Sequence, residues 1–284
     1  MGRFHVRTAR PEDVVSIVRV ANQAFLETAR LTGLIGRGFA QTMADYGEWC
    51  FVAEDEDDGI IGFLVGAHSE DKATIKWIAV HPDYWDRGVG GQLLKAIEDK
   101  ARREGLKIVE TGTPFARGFY ERYGFRCVEV QKALILELVG RRVTPPEEIQ
   151  MKPLILDDLG KLARFMERGE YLRFLTSYFN SFTDDPEKAL LGLDRDEAVG
   201  VVIGRTDNIY KDLVKVEYIH PVEPSYALSL LYGLVHLCST EGLRWVGVRL
   251  PIQGISEEAL TRMGWREAKL PTFWTRYRMR KELR

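Results

Sequence analysis

The sequence predicts a mixed α/β protein of two tandem domains, each a central, mostly antiparallel sheet flanked by helices. Three observations predict it. At 284 residues the chain is long for one domain and comfortable for two of ordinary size. The chain also repeats itself. Asp13 pairs with Asp158, GIIGFLVG (59–66) with EAVGVVIG (197–204), and Val80-His81-Pro82 with Ile219-His220-Pro221. Glu104-Gly105-Leu106 then pairs with Glu241-Gly242-Leu243, and Tyr123-Gly124-Phe125 with Met263-Gly264-Trp265. Offsets confined to 137–145 residues, in unbroken order, mark a duplication. Finally, runs of strand pattern in each half are interrupted by segments of helical period, the signature of a mixed domain.

The elements of the first half follow in order. A short strand at 4–7 leads into a helix with Val14, Ile17, Val18, Ala21 and Phe25 on one face. Strands are expected at 49–54, 60–67 and 73–80. A helix over 90–104 places Leu93, Ile97 and Ala101 on one stripe. A strand at 106–111, a helix at 116–123 and strands at 126–130 and 133–139 complete the set. The natural join is GRRVTPPEEIQ, with paired prolines and charges. This gives a first domain over 1–142, a linker over 143–149 and a second domain over 150–284.

Composition narrows the function. A formal net charge of −2, with 45% hydrophobic and 29% charged residues, describes a globular chain and argues against a nucleic-acid partner. The basic ending RYRMRKELR reads as a solvated tail. Cys50, Cys127 and Cys238 are too few and scattered for a disulfide framework or a metal cluster, so no metal is expected. Without a signal core, a lipidation signal or an apolar run of membrane length, the expectation is a cytoplasmic protein with no membrane partner.

The chemistry concentrates in residues 75–125, where an apolar strand enters the turn Asp86-Arg87-Gly88-Val89-Gly90-Gly91 and the turn opens onto a helix. The first N–H groups of a helix lack internal partners and, with the helix dipole, form an anion site. Glycines let a phosphate come close, and Arg87 can add a charged contact. Taken alone, a G-x-G at a turn is more often a plain turn. A dinucleotide fingerprint needs a small residue where Leu93 stands, and a P-loop needs a Gly-Lys-Ser/Thr that is missing.

Residues 75–125 resemble the core of the GNAT superfamily of acyl-CoA-dependent N-acetyltransferases. The family's pyrophosphate loop, Gln/Arg-x-x-Gly-x-Gly/Ala, is matched by Trp85-Asp86-Arg87-Gly88-Val89-Gly90. Its later pattern, Asn-x-x-Ala-x-x-Phe-Tyr-x-x-x-Gly-Phe, is met by Ala116, Phe119, Tyr120, Gly124 and Phe125. Trp85 departs from Gln/Arg, and Thr113 from Asn. The resemblance implies acetyl-CoA as co-substrate, held by Ile78, Ala79, Val80, residues 85–91, Thr113, Ala116 and Phe119. It places the pantetheine arm between strands 73–80 and 106–111, with backbone bonding from Ile78 and Val80. It makes Tyr120 the proton donor to the departing thiolate and an amine-bearing small molecule or protein the acceptor.

A lysine-like amine, with pKa about 10.4, must lose a proton to attack at neutral pH. Many relatives carry a Glu where Thr74 stands, which leaves Glu110, acting through water, and His81 as candidate bases. An amine arriving neutral would need neither. The acceptor-side segment 25–48 mixes Arg30, Arg37, Asp45 and Glu48 with apolar residues and favours no acceptor. The second half keeps the fold pattern but reads VEPSYALSLL at the turn, without glycine and with Glu223 where a pyrophosphate would sit. Glu258-Ala259 stands where the first half has Phe119-Tyr120. The expectation is therefore one working site, in the first half, and a degenerate second copy. Two alternatives are a non-catalytic acyl-CoA-binding module and an interaction protein built on the duplicated fold.

Overall fold

The computed structural model describes residues 4–30, 37–69, 71–182 and 185–283. It divides into two compact units, Met1–Val130 with Arg276–Arg284, and Gln131–Thr275. Both are mixed sheets with helices on their faces. Among the described residues no helix is long and apolar enough to cross a membrane.

The first unit runs β1 (Phe4–Thr8), α1 (Val14–Ala29), α2 (Arg37–Tyr46), β2 (Cys50–Asp55), β3 (Gly59–His68), β4 (Lys72–Val80), α3 (Val89–Arg103), β5 (Ile108–Thr113) and α4 (Arg117–Arg122). β6 (Arg126–Glu137) begins in this unit and ends in the second. β1 to β4 are antiparallel neighbours, while β4 and β5 are parallel. Two layers of core cover the sheet. Ile17, Val20, Ala21 and Ala24 of α1 bury against Val52, Phe63 and Val65. On the other face Leu93, Leu94, Ile97 and Ala101 of α3 pack with Leu64, Ile75 and Val109. The expected α3 stripe is buried, whereas in α1 only Ile17 and Ala21 of the expected face are, with Val14, Val18 and Phe25 partly buried at its margin.

The second unit contains β7 (Gln150–Pro153), α5 (Leu159–Leu162), α6 (Arg168–Phe182), β8 (Ala189–Asp194), β9 (Glu197–Thr206), β10 (Leu213–Pro221), α7 (Ala227–Thr240), β11 (Trp245–Leu250), α8 (Glu257–Arg262) and β12 (Arg266–Glu267). Its sheet repeats the pattern, with β7 to β10 antiparallel and β10 parallel to β11. The matched residues do matched jobs. Asp13 accepts from the Arg10 backbone at 2.7 Å and holds Arg7, while Asp158 accepts from the Ile155 backbone and holds Lys152. Gly105 and Gly242, at φ +75° and +74°, close α3 and α7 with left-handed turns, bonding Leu106 to Ala101 and Leu243 to Cys238.

Two expectations differ from the structure. Residues 126–137 form one strand, and its second half pairs with β11 of the second unit (Leu136 with Val246). The basic tail is not a solvated end. It forms β13 (Arg276–Glu282), antiparallel to β5 in the first unit. Strand alternation sends Met279 into the core with no exposure and Arg280 to the other face, where it reaches Glu110, while Lys281, back on the Met279 face, reaches Glu98 of α3. The compact units thus exchange 131–142 and 276–284 relative to the division at 142 and 150.

Candidate functional site

The site begins where two strands part. β4 and β5 pair from Lys72–Ile108 to Ile75–Thr111 and no further. Next to that point the β3–β4 register slips between Val65–Trp77 and Gly66–Ile75, a bulge that re-aims the end of β4. Residues 76–80 therefore lean away from β5, which continues alongside β13 through Thr113.

Beyond β4 the chain makes the glycine turn. Asp86 and Gly88 are left-handed, at φ +58° and +83°, and Gly88 immediately precedes α3. No side chain caps that helix start. Its first N–H groups are left for an external acceptor, which is the geometry an anion needs. Gly90 and Gly91 also admit two aromatic rings. A Cβ on Gly90 would sit 3.0 Å from the Phe119 ring, and one on Gly91 would collide with Tyr123. Phe119 of α4 and Tyr123, which caps its end, thus lie against the first turn of α3, with their ring centres 5.1 Å apart.

The end of β4, the turn and α4 border a cavity of about 350 Å³ that also reaches Ala24, Phe25 and Thr28 of α1. Every expected cofactor-side residue lines it except Arg87 and Thr113. The Arg87 guanidinium lies 4.9 Å over the Tyr84 ring, whose hydroxyl donates to Asp58. Thr113 is buried and its hydroxyl accepts from the backbone of Phe115 and Ala116, at 3.3 and 3.0 Å. It supports the turn into α4 rather than facing the cavity. The Trp85 indole N–H donates to the Val80 carbonyl at 2.7 Å, so that backbone group is already engaged.

Tyr120 is 2% exposed and packs between Phe119 and Phe125, with ring centres 5.2 and 5.3 Å away. Its hydroxyl bonds with Thr111, whose own hydroxyl donates to the Ile75 carbonyl at 3.1 Å. The phenol therefore stands at the apex where β4 and β5 separate. Burial pushes its pKa up to about 12, against the smaller lowering effect of Thr111.

Neither Tyr120 nor the two candidate bases are among the residues that line the cavity. The Glu110 carboxylate is 6% exposed and bonds Lys72 at 2.8 Å and Arg280 Nε at 2.5 Å. Burial alone would raise its pKa, yet the two cations hold it below the usual carboxylate value. His81 caps a short turn, its Nδ1 accepting from the Asp83 backbone at 3.2 Å. Tyr84, Arg122, Tyr123, Ala24 and Thr28 line the cavity without having been singled out from sequence. The i, i+4 spacing of Phe119 with Tyr123, and of Ala24 with Thr28, is the signal that points to three of them.

In the second unit the segment after β11 comes close to the start of α7. A Cβ on Gly254, in the segment after β11, would overlap the Pro224 carbonyl and lie 3.0 Å from the Ala227 Cβ at the start of α7. The backbone bond Trp265→Leu260 matches Phe125→Tyr120. Leu260, rather than Ala259, thus stands where the phenol is, and the phenol is absent either way.

Comparison with known proteins adds to this. Residues 46–127 match the acetyltransferase (GNAT) domain family. A mycothiol acetyltransferase of Pseudarthrobacter chlorophenolicus is 29% identical over 120 residues, 36% of this chain and 35% of its own length. The chain therefore matches about a third of that relative. A GCN5-related N-acetyltransferase from Sphaerobacter thermophilus shares the fold over 99% of this chain and 96% of its own, with TM-score 0.70 at 17% identity. A tandem GNAT protein from the clavulanic acid biosynthesis pathway does so over 100% and 99%, with TM-score 0.68 at 14% identity. The match to the acetyltransferase (GNAT) domain family falls on the residues that build the parted strands and the glycine turn.

Proposed function

We propose that the first unit is an N-acetyltransferase that moves an acetyl group from acetyl-CoA directly to a primary amine. The observation that carries this reading is the uncapped start of α3, set at the end of two parted strands with a buried phenol at their apex. The α3 N–H groups, with Arg122 on the wall, would hold the pyrophosphate, and the end of β4 would lie along the pantetheine arm. Acetyl-CoA supplies an acyl group activated as a thioester. The amine nitrogen attacks the thioester carbonyl, the C–S bond breaks, and Tyr120 gives its proton to the leaving sulfur. The amine's proton passes to water, since Glu110 and His81 are committed elsewhere.

A second reading, a non-catalytic acyl-CoA-binding module, draws support from the near-complete burial of Tyr120 and the absence of a carboxylate base at the apex among the described residues. Calorimetric titration with CoA, together with thiol release from acetyl-CoA in the presence of an amine panel, separates the two. Binding with amine-dependent release supports the enzyme. Binding alone supports the module, and no binding overturns both.

A further inference from the structure

We infer that the two copies exchange their last strands, and that two buried carboxylates of the first unit, Glu98 and Glu110, select the incoming strand by its charge. The inference goes beyond the acetyltransferase reading and does not depend on it. β13 lies on β5 with Tyr277 to Glu282 opposite Thr113 to Ile108. The second half of β6 lies on β11 in the same register, Lys132 to Glu137 opposite Leu250 to Trp245. β5 and β11 are equivalent strands of the two copies, each parallel to the fourth strand of its own sheet. Tyr277 and Lys132 are as far apart in the chain as Asp13 and Asp158, so the two strands laid on β5 and β11 are equivalent as well. Yet the strand that ends the first copy lies in the second unit, and the strand that ends the second copy lies in the first.

The residues each strand meets explain why neither stays with its own copy. On β13, Arg280 reaches Glu110 and Lys281 reaches Glu98, the latter at 2.7 Å, and both carboxylates are 6% exposed. The counterparts of Arg280 and Lys281 on β6 are Ile135 and Leu136, and those of Glu110 and Glu98 are Gly247 on β11 and Val235 on α7. There an apolar strand meets an apolar site, with Leu136 and Val235 in one core cluster and Ile135 buried. If the strands returned to their own copies, Ile135 and Leu136 would face Glu110 and Glu98, and each carboxylate would lose a cation. Arg280 and Lys281 would arrive beside Gly247 and Val235, which carry no charge. Stripping a buried charge of its partner is strongly destabilising, so the unexchanged arrangement is penalised in both units.

The test uses the full chain and disulfide cross-linking, read by peptide mass spectrometry. Gly112 and Arg278 lie opposite each other on β5 and β13, and both are exposed. In the unexchanged arrangement Ala133, the counterpart of Arg278, would take that place. Oxidised Gly112→Cys/Arg278→Cys should form an intramolecular bond in most molecules, and Gly112→Cys/Ala133→Cys at less than about one tenth of that yield. Adding Glu98→Val and Glu110→Ala gives the first unit the apolar character of the second. It should lower the 112–278 yield at least about two-fold and raise the 112–133 yield at least about five-fold. Arg280→Ile/Lys281→Leu changes the strand instead of its site and should also lower the 112–278 yield. Absence of the 112–278 bond, or an equal 112–133 bond with all four charged residues in place, overturns the exchange. Unchanged yields in both altered backgrounds overturn the selection by charge.

Discussion

At the scale of single residues, Tyr120 and Glu110 carry opposite assignments that substitution can separate. Tyr120 keeps its proton far above neutral pH, as a donor to a thiolate must, because burial disfavours the phenolate. Tyr120→Phe removes the proton and keeps the ring. Turnover should fall by roughly 10²-fold, the scale of one general acid, while calorimetry finds CoA affinity within about two-fold. Unchanged turnover would remove Tyr120 from the chemistry. Stability gives an independent reading. The unfolded phenol titrates near 10.0 and the folded one near 12, so between these values the unfolded chain releases a proton that the folded chain retains. Stability must therefore drop as pH rises through that window. In Tyr120→Phe the drop should be shallower by about 2 kcal/mol, measured as unfolding midpoints in urea at pH 9 and pH 11.5. Glu110→Gln should behave in the reverse way. It leaves Lys72 and Arg280 without their carboxylate, so the melting temperature should fall by a few degrees, the effect of about 1 kcal/mol in a chain of this size. Its kcat should stay within two- to three-fold. A loss of 10²-fold with the fold intact would restore Glu110 as a base.

At the scale of elements, the glycine turn and the aromatic helix were legible because their constraints are local. A helix start after a left-handed glycine, and rings spaced one turn apart, depend on neighbours in sequence. The thirteenth strand was not legible for the converse reason. RYRMRKE has only Tyr277 and Met279 as apolar residues, and what makes it a strand is the edge of β5, more than 160 residues earlier, with Glu110 and Glu98 waiting for its cations. Composition reads such a segment as solvated. Glu110 was misplaced for the same reason, since both of its cations arrive from other strands. Pairing with β5 makes β13 part of the first unit's core rather than an appendage. Met279→Ala, at a position with no exposure, should cost about 2–4 kcal/mol, read as a lowered urea midpoint. Because β5 ends in Thr113, whose hydroxyl holds the turn into α4, the same change should also weaken CoA binding. Loss of stability with affinity intact would separate β13 from the site.

At the scale of the whole molecule, duplication supplies two copies of a scaffold, and the physical question is how many of them can hold a CoA. Both copies part a parallel strand pair, after Ile75–Thr111 in one and after Lys215–Gly247 in the other, and both begin a long helix beyond the first of those strands. The scaffold therefore does not decide occupancy. What differs is the helix start. Gly88 gives α3 an open, left-handed approach with nothing within 4 Å of a notional Cβ. The start of α7 is instead in contact with Gly254 through Pro224 and Ala227, and Glu223 adds a charge of the wrong sign. With Glu223 beside that start and no glycine there to admit a phosphate, a calorimetric titration with CoA should give one site per chain. Gly88→Val tests where that site is. A β-branched residue at φ +83° is strained by about 1–2 kcal/mol, and its side chain would stand at the mouth of the anion site. The variant should bind CoA at least about 10-fold more weakly and show no residual tight site. A wild-type stoichiometry of two, or one tight site surviving in Gly88→Val, would place a CoA on the second copy.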